Sequence, residues 1–404
     1  MASRLKHPFV RRQRRAAASR RLSTLKLALT GLSYDHFVSP RLSIQLDLIR
    51  LVAAVAVACA HLQPLLLPEL PRWIGRHGQE AVTIFFVLSG FVIAYATDER
   101  NGSWRDYTSA RAARLFSVVI PVLVIIIFVD LLGGALYPLW YDAQTFIGDG
   151  PSFLTIAQTV LFTNEVWFSH VVIGSAEPFW SLGFEVPYYV LFAIFSFSTG
   201  SKRIVLCVLW AALVGPKILL YLPLWLTGVA TWHLVKFERV QISKLASALA
   251  VANLLLVYII WNQIFGGETQ AQFKWESIDQ ALLTAAYHMF IALLVAALIL
   301  LQSARTRDQA AYPQAVSRPI RWAAGGSFTL YLLHQPLFAF AAASMATSAA
   351  FYLRVGAVAL VLIAIYTAAA VGERRKTVFE GGLRRLMRWD ASHNPTELTV
   401  ARVS

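Results

Sequence analysis

The stretch LDLIRLVAAVAVACAHL, Leu46 to Leu62, sets Asp47, Arg50 and His61 in an otherwise apolar run. A run of this kind is either the core helix of a soluble protein or a membrane crossing, and its surroundings decide between them. The chain is 57% hydrophobic and 14% charged, with mean hydropathy +0.57. Soluble domains average roughly 45–50% apolar and about 25% charged residues. The excess is segmented: apolar stretches fall at about 44–66, 79–97, 115–132, 178–198, 203–220, 222–235, 243–264, 280–302, 324–345 and 351–371. Apart from the short one at 222–235, these suit the length of about 20 residues that a helix needs to cross a hydrocarbon layer near 30 Å thick. Backbone groups in lipid must be satisfied within the segment, so the expected fold is an all-α integral membrane bundle of about ten helices.

The net charge of +14 raises nucleic acid as a partner, but the placement of the charge argues against it. Residues 1–41 carry ten Lys or Arg against one acid, Asp35, as expected of a basic cytoplasmic tail beside anionic lipid. Further basic residues cluster between alternate segments: Arg100, Arg105, Arg111 and Arg114; Lys202 and Arg203; Lys236, Arg239 and Lys244; Arg305, Arg307, Arg318 and Arg321. From Leu115 to Ser201 there is neither Lys nor Arg, although this span contains a long connector with Asp142, Asp149, Glu165 and Glu177. That connector is expected outside, with both termini inside and an even number of crossings. The domain reading is a basic tail over 1–41, a membrane domain over 42–371 and a second cytoplasmic tail over 372–404. No apolar core precedes the first long segment as a signal peptide would require, so the N-terminal tail is expected to stay. The connector at 153–168 reads as a short amphipathic or re-entrant helix, with Trp167 at the interface. Pro216 and Lys217 interrupt the segment at 203–220, which leaves a re-entrant hairpin over 203–235 as the alternative to two crossings. Cys59 and Cys207 both sit in apolar runs, so neither a disulfide framework nor a metal site is expected.

Ionisable groups at bilayer depth cost roughly 2.5–3.5 kcal/mol on insertion scales and usually face the bundle interior. Arg50 and His61 are eleven residues apart. At 100° and 1.5 Å per residue they share one helix face, about 16 Å apart along the axis. Asp47, three residues before Arg50, is placed to orient its guanidinium. The bland alternative is an Arg50 that snorkels and a His61 satisfied at an interface. In IFFVLSGFVIAY, Ile84 to Tyr95, Ser89 and Gly90 read first as close helix packing. Arg111 and Arg114, spaced i, i+3 at the mouth of the third segment, suit bidentate phosphate contacts, or serve only as topology charges. EPFWSLGFEVPYY sets Glu185 at the start of the fourth segment behind Trp180 and Ser181. SFTLYLLHQPLF sets His334 beside Pro336 in the ninth. His233 and His288 show no evident partner and read as structural.

Together these segments resemble the acyltransferase 3 family of ten-helix membrane O-acyltransferases, which modify polysaccharides, lipopolysaccharide and related envelope carbohydrates. The resemblance rests on Arg50, ten residues, then His61; on FFVLSGF at Phe85 to Phe91; on Arg111 and Arg114; on WSLGFE at Trp180 to Glu185; and on YLLHQP at Tyr331 to Pro336. It covers residues 42–371. The chain departs from the family pattern in two places: Ala81, Val82 and Thr83 stand where Gly-Val-Asp is frequent, and Ser117 stands where a proline commonly follows the paired arginines, with proline delayed to Pro121. No SGNH hydrolase-like domain is read, so transfer is expected on the membrane domain or on a separate envelope assembly partner.

The resemblance implies a membrane-bound enzyme of the inner (plasma) membrane. It would move an acyl group, acetyl first and succinyl next, from acyl-coenzyme A to a carbohydrate hydroxyl. His61 is then the general base and Glu185 its assistant. Arg50, Arg111 and Arg114 hold the donor's phosphates, and Ser89 lines the acyl path. Asp47, Trp180, Ser181 and His334 support substrate path or structure. Acyl-coenzyme A is a co-substrate, no cofactor is tightly bound, and the expected partners are donor, carbohydrate and membrane lipid, with no nucleic acid. Two other classes use intramembrane Arg, His and Glu: secondary transporters, which show internal repeats that this sequence lacks, and polyprenol-dependent polysaccharide ligases, which need no coenzyme A. Reporter fusions at the termini and near Arg111, Lys202, Arg239 and Arg305 should all report the cytoplasm. A cytoplasmic signal from a fusion near Asp149 would break this topology.

Overall fold

The computed structural model describes residues 38–100, 102–237, 244–265, 277–306, 309–345 and 349–386. These residues are helical with no strand; the one extended pairing is an isolated bridge between Asp149 and Ile173. Ten principal helices follow the ten expected segments: α1 Pro40–Leu65, α2 Gly78–Arg100, α3 Trp104–Leu136, α4 Trp180–Phe197, α5 Gly200–Val214, α6 Pro216–Phe237, α7 Lys244–Phe265, α8 Ile278–Thr306, α9 Ser327–Ala343 and α10 Phe351–Val371. Among the described residues, seven helices are long and apolar enough to cross a membrane: those of α1, α2, α3, α4, α6, α8 and α10. At 15 and 17 residues, α5 and α9 fall short of a full hydrocarbon crossing. The side chains of α9 are mostly buried in protein, so lipid thickness does not set its length.

Sequence chemistry explains the helix starts. Ser39 caps α1 by accepting from Leu42 N–H, with Pro40 at the first helical position, where its missing donor costs nothing. Ser103 and Asp106 form a reciprocal capping box at α3. This start corrects the expected boundary at 115. Arg111 and Arg114 lie in the first three turns of a 33-residue helix and not in a loop. The capping box carries the helix on past its apolar part, and at 1.5 Å per residue α3 is about 50 Å long, well beyond the hydrocarbon layer.

The expected break at 220–222 is also displaced. The helices α5 and α6 meet at Gly215, whose φ of +84° suits a residue without Cβ, and Pro216 opens the next helix. A Cβ at Gly215 would also come 2.7 Å from Trp167 Cα. The connector backbone docks there, with Trp167 N–H donating to Val214 C=O at 2.9 Å. Lys217, the interruption in the sequence, is buried. Its ammonium donates to Glu165 of the connector at 2.5 Å, and His170 Nδ1 lies 2.8 Å from the other Glu165 oxygen. The expected short helix in the connector is Phe153–Val160, and Trp167 is half exposed.

At the centre, α2 packs against α6 with α1 and α8 beside them, while α9 lies against α1, α3 and α10. Large apolar side chains such as Val208 and Leu209 of α5 and Leu255 and Ile259 of α7 face outward, as lipid contact requires. The first residues after α10 are folded. The Glu373 carboxylate accepts from the N–H groups of Phe328 and Thr329 and from the Thr329 hydroxyl, capping the start of α9, and a helix at Lys376–Leu386 lies on α3. The N-terminal tail up to 37, Arg239 and Arg307 lie outside the described residues. His288 has a partner that the sequence did not reveal: its Nδ1 is 2.7 Å from the buried Thr83 hydroxyl. His233 is exposed.

The contact between α2 and α6 is backbone to backbone. A Cβ at Gly90 would sit 2.1 Å from Trp225 C=O, and one at Gly228 would sit 2.0 Å from Val87 C=O. Close approach of this kind is how membrane helices gain packing energy without a hydrophobic drive. Gly228→Val should therefore destabilise the bundle by about 1–3 kcal/mol through overpacking, measured as loss of thermal stability in detergent. A Gly228→Val protein as stable as wild type would show that these helices can part at no cost.

Candidate active site

The N-terminal ends of α1, α3 and α9 meet the end of α10 at one end of the bundle. Here Arg50 Nη2 donates to Asp47 Oδ1 at 2.9 Å and to Ala324 C=O at 3.3 Å. The Glu373 carboxylate lies within electrostatic reach of Arg50 and Arg114. The Asp47 contact is the orienting ion pair expected from their i, i+3 spacing.

A cavity opens from this end. Its walls bring together Arg50, Ser89, Arg111, Arg114, Ser181 and Glu185 from four helices, with Phe85, Tyr189 and Tyr331 between them. The upper part is cationic. Arg111 lies 6.0 Å over the Tyr107 ring, and Tyr107 OH donates to Tyr189 C=O at 3.0 Å, which fixes the α3 wall against α4. Arg50 Nε is buried without a hydrogen-bond partner, an unsatisfied donor that costs on the order of 1–3 kcal/mol. A bound anion would remove that cost. Glu185 accepts from Tyr189 OH, whose oxygen also lies 3.1 Å from Ser89 Oγ, and Trp225 Nε1 donates to Ser89 Oγ at 3.2 Å. Ser89 thus both joins the helix packing and faces the cavity.

Below the arginines the wall is Tyr331, whose OH donates to Ser181 Oγ at 2.8 Å; Ser181 in turn donates to Pro178 C=O at 3.2 Å. Tyr331 stands one turn before His334, with ring centroids 6.5 Å apart, so the cavity ends on the residues that hold the histidines. His61 is not on the cavity lining. It meets the fully buried His334, with His334 Nε2 3.0 Å from His61 Nδ1. Its nearest carboxylate is Glu177, 3.8 Å from His61 Nε2, and Gln335 Nε2 donates to that carboxylate at 2.9 Å.

Of the residues singled out in the sequence, then, Arg50, Arg111, Arg114, Ser89, Ser181 and Glu185 share the cavity. His61 and His334 form a pair beyond its inner wall, and Asp47 orients Arg50. Trp180 packs edge-on against Phe184, with centroids 5.6 Å apart. The sequence reading gave no role to Glu177, Gln335, Tyr189, Tyr331 or Glu373. For Glu177 and Gln335 a signal was present, as Glu177 opens the stretch EPFWSLGFEVPYY and Gln335 lies within YLLHQP, but pairing them takes a contact across 158 residues. Among the described residues no cluster of His, Cys, Asp or Glu has metal-holding geometry.

The acyltransferase domain model of the acyltransferase 3 family matches residues 43–372, nearly all of the bundle. The chain belongs to the acyltransferase 3 family. No curated protein and no solved structure matches it. As an acyltransferase 3 protein with seven apolar spanning helices among its described residues, it is a multi-pass membrane protein that transfers acyl groups.

Proposed function

We propose that this acyltransferase takes its acyl group from acyl-coenzyme A at the cytoplasmic face of the inner membrane and delivers it to a hydroxyl of an envelope or exported carbohydrate. The observation that carries the reading is the cavity itself: three arginines from two helices at its mouth, one with an unsatisfied buried donor, above an apolar and aromatic lining that ends beside a histidine pair. Paired guanidinium groups suit the several phosphates of coenzyme A. The Arg50 to His61 separation of about 16 Å along one helix suits a donor that is anionic at one end and reactive at the other.

In the reaction, the acceptor hydroxyl gives its proton to His61 as its oxygen attacks the thioester carbonyl carbon. The carbon–sulfur bond then breaks, and the leaving thiolate takes a proton from the imidazolium. A neutral histidine suits this double role because its ordinary pKa lies near 6.5. Glu185 and Tyr189 line the acyl path, and the outward-facing connector leaves the carbohydrate to approach His61 from the opposite end. Acetyl is the first donor to test and succinyl the second.

Arg111→Ala combined with Arg114→Ala should weaken binding of acetyl-coenzyme A while the protein remains inserted, and lysine at both positions should restore only part of it. Donor affinity unchanged in the double variant would reduce the pair to topology charges. His61→Ala and His61→Gln should each lower turnover by about 10² to 10⁴ per unit of inserted protein, since that is the range of general acid–base catalysis. Full activity in His61→Gln would remove His61 from the chemistry.

A further inference from the structure

We propose that His334 and Glu177 are positioning residues that fix His61 as a base at its Nε2 atom, His334 by setting the tautomer and Glu177 by facing the charge that forms. The inference rests on reading His61 as the base and adds which nitrogen acts and what prepares it.

Hydrogen-bond complementarity carries the assignment. His334 Nδ1 lies 3.0 Å from Leu330 C=O, and His61 Nδ1 lies 3.1 Å from Val57 C=O. A carbonyl oxygen only accepts, so each Nδ1 carries a hydrogen. His334 Nε2 lies 3.0 Å from His61 Nδ1. With a hydrogen already on His61 Nδ1, a second on His334 Nε2 would collide with it, so His334 Nε2 presents its lone pair and the ring is neutral. Both contacts at His61 Nδ1 are therefore acceptors. The neutral His61 ring holds its lone pair on Nε2, the only nitrogen from which it can take a proton. Two backbone carbonyls and a fully buried ring decide the tautomer, with no carboxylate on Nδ1.

Glu177 stands on the reactive side. Its Oε2 is 3.8 Å from His61 Nε2, too far for a hydrogen bond, so the lone pair is not engaged, yet close enough to attract the imidazolium. Gln335 Nε2, 2.9 Å from the same oxygen, holds the carboxylate in place. The Ser181 to Pro178 hydrogen bond anchors the turn that bears Glu177, and Asp130 anchors its N-terminal side by accepting from Ser175 N–H at 2.8 Å and Ser175 Oγ at 2.6 Å.

The magnitudes separate this arrangement from a histidine that depends on its carboxylate for the right tautomer, where loss of the charge costs about 10⁴ in turnover. Here the tautomer survives without Glu177, so Glu177→Gln should lower kcat by only about 10 to 100-fold, well short of the loss of tautomer control. The test follows free thiol released from acetyl-coenzyme A by the full-length protein, in membranes containing its native acceptor and normalised to inserted protein. Glu177→Gln, which still accepts from Gln335, should lower kcat with donor KM within about twofold of wild type, and Glu177→Asp should recover part of the loss. His334→Gln, whose amide oxygen still accepts from Nδ1–H, should keep more activity than His334→Leu. A Glu177→Gln protein at wild-type kcat, a loss carried by KM or abundance, or His334→Leu equal to His334→Gln would overturn the proposal while leaving His61 as base. Full activity in His61→Gln measured alongside would sink both.

Discussion

The backbone contact between α2 and α6 is the constraint on which the rest of the bundle hangs. In lipid there is no hydrophobic drive to bring two apolar helices together, so contact must come from packing and from polar groups that meet across the interface. Gly90 and Gly228 let the two backbones touch, and the same stretch of α2 then presents Phe85, Phe86 and Ser89 to the cavity. Ser89 lies between Trp225 of α6 and Tyr189 of α4, which joins three helices through one hydroxyl. A wider spacing at Gly228 would break this junction and open the cavity wall.

The half-buried charge of Arg50 is held on several sides. Arg50 is gripped by Asp47 and by Ala324 C=O, and Glu373 supplies an opposing carboxylate while capping α9. Arg50 is thus held in place before any ligand arrives, a condition for binding without the cost of ordering a flexible side chain.

At the other end, the connector between α3 and α4 is pinned at two depths. Lys217 of α6 holds Glu165, and Asp130 of α3 holds Ser175. Two residues after that second anchor the chain delivers Glu177 to His61. The long segment without lysine or arginine is therefore a structural part of the site as well as a topology signal.

The sequence by itself determined the class and marked several residues of the candidate site. Segment length and hydropathy required helices because lipid offers the backbone no partners. Ionisable residues in apolar runs marked Asp47, Arg50, His61, Glu185 and His334 because each would be costly facing lipid. The i, i+3 spacing of Asp47 and Arg50 gave their ion pair, a local contact that helical geometry alone fixes. Tertiary structure decided what depends on contacts between distant segments. The pairing of His61 with His334 spans 273 residues, and that of Glu177 with Gln335 spans 158. No periodicity encodes such distances. The break at Gly215 in place of 221 was likewise beyond the pattern of hydropathy. It was set by a backbone conformation and by Trp167 docking against it, and neither leaves a mark in the apolar count.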